Sequence, residues 1–116
     1  MEKEENKISV VEQQLVKTMT ALNLGMCMMT LFVLCSAKKE IEGDIKKASK
    51  TFYKFDEAFD KETSNDANVG LSTVVINSGK KLISDLDSLR KKIDKPEDNI
   101  LELLNKAQKL TNEIIA

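Results

Sequence analysis

Between Lys17 and Lys38 the chain carries no charged side chain. Thr18 to Ala37 reads TMTALNLGMCMMTLFVLCSA, in a protein that is 32% charged. A helix through about twenty such residues is at the lower limit for crossing a bilayer. It serves equally as the central helix of a small bundle, covered on every side. Any fold the chain adopts must hide this stretch or give it something to bind.

The apolar residues around it fall into step: Ile8, Val11, Leu15, Met19, Leu22, Met26, Met29 and Val33. The same phase continues through Ala37, Ile41, Ile45, Ala48, Phe52, Phe55 and Phe59. The mean spacing is about 3.6, the period of a straight α-helix, whereas a long left-handed coiled coil averages about 3.5. Two readings fit. One is a single helix of about fifty residues, near 80 Å long; the other is two helices broken near Gly43. Either way one apolar ribbon from Ile8 to Phe59 calls for cover along its length. Glu12, Gln13 and Lys17 lie off that face, so the upstream half is amphipathic. After Ala21 the opposite face fills with Leu24, Met28, Leu31 and Cys35, and the helix becomes apolar all round.

Residues 1–7 (MEKEENK) read as a polar, disordered N-terminal tail. Residues 62–70 (ETSNDANVG) collect loop-forming side chains and separate the first half from a second amphipathic pattern. That pattern is Leu71, Val75, Ser78, Leu82, Leu86, Leu89 and Ile93, with Gly79 as a weak point in mid-helix. Residues 94–98 (DKPED) restart a helix, with Pro96 suited to a first turn and the acids to the positive end of the helix dipole. Ile100, Leu103, Leu104, Ala107, Leu110 and Ile114 supply the last apolar face. With four glycines and one proline the chain has too few turn-formers for an all-β fold. The expectation is an all-α protein, a small helical bundle or extended helical hairpin of three to four helices, with residues 8–116 as one domain.

Most chemistry is excluded by what is missing. There is no histidine, which removes the usual general base and His-ligated metals. The glycines are isolated, so no phosphate-cradling loop is present. Asp56 and Asp60 share a helical face and could hold a cation, but beside Lys54 and Lys61 they read as a solvated face. Lys46, Lys50 and Lys54 form a short stripe that could touch phosphates; preceded by Glu40, Glu42 and Asp44, it reads as ion-paired surface. Net charge is −1, and no nucleic-acid partner is expected. Cys27 and Cys35 lie about 12 Å apart along a helix, too far for a disulfide, and read as small apolar residues. No enzyme activity, cofactor, metal or small-molecule substrate is expected, and no motif ties the chain to a known family.

What remains is association. The chain is expected to be a non-enzymatic, cytoplasmic protein that binds itself or another helical protein, in the manner of an accessory, adaptor or chaperone subunit. Candidate contact residues are Met19, Leu22, Met26, Met29 and Val33 on the first stripe, with Phe52, Tyr53, Phe55 and Phe59 downstream. Phe52, Phe55 and Phe59 also fit ordinary core packing, whereas Tyr53 falls off the stripe and suits an exposed contact. The alternative is a membrane-associated protein in which residues 18–37 are an anchor or export signal and residues 38–116 the working domain. Lysines are denser after the segment than before it, which would keep that domain cytoplasmic.

Overall fold

A helix that buries Cys35 cannot continue straight and bury Ile41 as well, because six residues at about 100° each place Ile41 roughly 240° round the axis. The chain resolves this by turning. In the computed structural model, which describes the backbone of residues 2–63, 72–93 and 97–116 and their side chains from Glu12 onward apart from Thr63, α1 spans Glu2–Cys35. Ser36 folds back on the last turn, its Oγ donating to the Val33 carbonyl at 2.7 Å, and the Lys38 N–H donates to the Cys35 carbonyl at 3.0 Å. Lys38 is extended, and a single 3₁₀ turn, Lys39–Ile41, sets Ile41 fully into the core. The next helix, α2, then runs Glu42–Thr63.

Two sequence expectations shift here. The break falls at residues 36–41, not at Gly43, which lies inside the first turn of α2 with open space around it. Residues 2–7, expected as a disordered tail, have helical backbone. The loop expected at 62–70 lies mostly outside the described residues, as does the restart at Pro96. The helices flanking those gaps are α3, Thr73–Lys92, and α4, Asp98–Ile115.

Local signals account for the ends. Ser72 caps α3, its Oγ accepting from the Val75 N–H at 3.4 Å. Arg90, Lys91 and Lys92 occupy the last turn of α3, Glu42 and Asp44 the first turn of α2, each charge complementing the helix dipole.

Cross-links along three seams show α2–α3, α1–α4 and α3–α4 to be antiparallel. Lys92 Nζ meets Asp44 at 2.9 Å and the Ser72 N–H meets Glu62 at 3.0 Å, tying α2 to α3 end to end. Lys17 Nζ donates to the Ala116 carbonyl at 3.2 Å, and the Cys27 thiol to the Leu103 carbonyl at 3.3 Å, tying α1 to α4. Arg90 reaches Asn105 and Gln108, and Gln108 Nε2 donates to the Ile83 carbonyl at 3.0 Å, tying α3 to α4. The result is an up-down-up-down four-helix bundle with no strand among the described residues. α1 packs chiefly on α4, α2 on α3 and α3 on α4, while the α1–α2 seam is thin.

The core takes one face from each helix. Phe52, Phe55 and Phe59 come from α2; Val75, Leu82, Leu86 and Leu89 from α3; Ile100, Leu104, Ala107 and Ile114 from α4. Ser78 is half-buried, and its neighbour Gly79 faces the core instead. A Cβ there would lie 2.6 Å from Ile115 Cγ2 and 3.1 Å from Phe55 Cε1, so the absence of a side chain lets α3 close on both neighbours. Among the described residues three polar ones are buried with them, Thr51, Asp85 and Thr111, and Asp85 is the acidic one. Asp85, 7% exposed, accepts from Thr51 Oγ1 at 2.6 Å and pairs with Lys47 at 3.8 Å.

Candidate functional site

The face α1 gives to the core is not its amphipathic stripe. Leu24, Cys27, Met28, Leu31 and Cys35 are buried against α4 and its neighbours. Leu15, Met19, Leu22, Met26, Met29 and Val33, which sequence periodicity joined to the core ribbon of α2, lie on the opposite side and are 47–72% exposed. The turn at 36–41 is the reason. It uncouples the phase of α1 from that of α2, so one stripe points out while its continuation, Ile41, Ala48, Phe52, Phe55 and Phe59, points in.

Taken within α1 alone, the exposed set has a pattern that the longer stripe concealed. Met19, Met26 and Val33 are seven apart, and so are Leu15, Leu22 and Met29. The steps alternate four and three, which is the a/d seam of a coiled coil, with Met19 at an a position and Leu22 at d. Leu24 and Leu31 then fall at f, diametrically across the helix. The bundle uses the back of α1 and leaves the heptad seam outward.

The seam is bordered by small or uncharged groups. Val16, Asn23 and Thr30 lie at e; Thr18, Gly25 and Phe32 at g. The Thr18 and Thr30 hydroxyls donate to the Gln14 and Met26 carbonyls at 2.9 Å each, so neither demands a partner from outside. Toward α2 the seam descends into an open groove of 620 Å³ floored by Ala21, Gly25 and Phe52 and rimmed by Tyr53 and Asp56. Burial, reinforced by the charge of Asp60, raises the Asp56 carboxyl above its ordinary value.

Of the aromatic candidates, Phe52, Phe55 and Phe59 are interior, and Phe55 and Phe59 stack with centroids 6.4 Å apart. They hold α2 against the bundle, and of the three Phe52 also lies under the groove floor. Tyr53 is 52% exposed, its ring against Phe52 and its edge on the groove. The exposed cluster therefore contains Met19, Leu22, Met26, Met29, Val33 and Tyr53, and it adds Leu15 and Val16, which the candidate list lacked.

On the other side of Tyr53 a recess of 390 Å³ is lined by Lys47, Lys50, Lys54 and Lys81. Lys46 of the expected lysine stripe is instead paired with Glu42 at 3.5 Å. The recess offers ammonium point charges without a forked donor, so an anion there would be held loosely and salt-sensitively. Both cysteines are free and buried; burial pushes each thiol up, and nearby Lys106 and Lys38 only partly offset this for Cys27 and Cys35 respectively. Among the described residues no three Cys, Asp or Glu side chains converge as metal ligands do.

The architecture defines the class as a small all-α four-helix protein. No family model matches the chain, and neither do any curated protein or solved structure compared with it.

Proposed function

We propose that this is a non-enzymatic association protein that docks a partner helix along the outer seam of α1, working in the cytoplasm. One observation supports this above others: six apolar residues at heptad spacing, Leu15 to Val33, stand uncovered on one face of a helix whose other face is already packed. Soluble monomers rarely expose contiguous apolar surface on this scale without a binding role. The methionines at the centre are pliable and accommodate differently shaped partners.

The test is titration with a labelled synthetic helix carrying leucine at a and d over three heptads, followed by fluorescence anisotropy. Saturable binding that Leu22→Lys/Met26→Lys abolishes, with helicity unchanged, is the expected result. A helix that never binds, to a chain that also never self-associates, defeats the reading.

A second reading has its own support. The span Glu12–Cys35 is 24 residues long, its most apolar 18-residue window has a mean hydropathy of 1.7, long and apolar enough to cross a bilayer, and only 28% of that window is buried. On that reading the protein is membrane-associated through α1, and residues 38–116 are the working part. Carbonate and high-salt extraction of a membrane fraction separates the two, since release into the supernatant eliminates the anchor.

A further inference from the structure

We infer that the helix received by the α1 seam is α1 of a second copy, laid antiparallel across a twofold axis near Leu24. This inference rests on the docking reading above and adds the partner and the register.

Register is the first argument. In an antiparallel pair of helices each a residue layers against a d residue of the partner. Leu15 (d) then meets Val33 (a), Met19 (a) meets Met29 (d), and Leu22 (d) meets Met26 (a). All six exposed seam residues find a counterpart in this single alignment, and none is left over. The seam is palindromic in a and d about its own centre.

Charge is the second. In coiled coils the e and g side chains select partners, matching opposite charges and rejecting like ones. Here Val16, Asn23 and Thr30 at e and Thr18, Gly25 and Phe32 at g carry none. A copy of the same chain meets no like-charge repulsion along the seam, and a foreign helix gains no preference from ion pairs. The antiparallel arrangement also sets the two helix dipoles in opposition, the favourable sense.

Area is the third. Six seam residues between about half and three-quarters exposed, together with Val16 and Tyr53, present several hundred Å², on the order of the ~800 Å² per partner that a standard stable interface buries. The groove beside the seam admits the partner closely, because Ala21 and Gly25 leave its floor low and Tyr53 stands as a wall.

Sedimentation of the full chain over a wide concentration range, combined with cysteine cross-linking, decides the matter. Single variants Leu15→Cys and Val33→Cys are prepared separately and mixed, with a short thiol cross-linker. A dimer that cross-links in the mixture but not within either variant alone is expected, since like positions then lie about 27 Å apart. Cross-linking of Leu15→Cys to itself overturns the antiparallel register. A wild-type chain that stays monomeric overturns self-association, and the leucine-heptad helix then locates the failure. Binding of that helix leaves the docking reading standing with a foreign partner; no binding removes both. A monomer that sediments with phosphatidylcholine vesicles assigns the seam to lipid and also overturns the proposal.

Discussion

Thr51 Oγ1 donates to Asp85 Oδ2 at 2.6 Å across the α2–α3 interface, and this bond satisfies one oxygen of a buried carboxyl. Asp85 is 7% exposed, and its remaining partner, Lys47, is 3.8 Å away on a largely exposed side chain. Thr51→Val keeps the shape and removes the donor, leaving the carboxylate under-satisfied. A loss of about 1–3 kcal/mol in urea unfolding is expected. An unchanged midpoint would show that water reaches Asp85 freely.

Two glycines in helices respond with opposite sign to the same substitution. At Gly79 an added methyl collides with Ile115 and crowds Phe55, and Gly79→Ala is expected to cost about 1–3 kcal/mol through overpacking. At Gly43 the space is open, and Gly43→Ala gains helix propensity, up to about 1 kcal/mol. Thermal unfolding of both variants reads the contrast directly.

Asp56 carries a pH signature. Its folded carboxyl is raised, by burial first and by Asp60 second, so the folded chain holds that proton more tightly than the unfolded chain. Such a group adds stability as pH falls through its raised value, reaches its full contribution below the unfolded value of about 3.9, and is a penalty when ionised at neutral pH. Asp56→Asn is therefore expected to raise the urea midpoint at neutral pH, with the gap to wild type closing toward about pH 4. A gap that widens on acidification contradicts the assignment.

Cys27 and Cys35 are expected to resist thiol reagents at neutral pH in the folded protein and to react fully once unfolded. Burial both shields them and holds them as thiols, whereas the thiolate is the reactive form. Rapid native labelling with a maleimide would mean that α1 leaves α4 readily.

Three of the four helices were legible because each has a single apolar face. Val75, Leu82, Leu86 and Leu89 on α3, and Ile100, Leu104 and Ile114 on α4, are buried as their spacing implies. α1 resisted for a physical reason. Leu22 and Leu24 are the same residue two positions apart, yet one is 66% exposed and the other 1%. Period alone cannot rank two apolar faces; fit to α4 does, with the Cys27 thiol seated on the Leu103 carbonyl. The turn at Ser36–Ile41 was hidden because Ala37 continues the apolar phase across it, and no glycine or proline marks it. Met19, Leu22, Met26, Met29 and Val33 share one exposed face of α1, but their seven-residue repeat emerges only when the count stops at Cys35.

α1 is about 51 Å long in a molecule whose greatest extent is 56 Å, and its side chains from Glu12 to Val16 are all exposed. Lys17 is where α1 meets Ala116, the C-cap of α4, and the exposed stretch from Glu12 to Val16 precedes it. Amide hydrogens should exchange along a gradient, faster from Glu12 to Val16 than from Leu24 to Cys35, whose core side chains are buried, so that one helix spans a wide range of opening free energies.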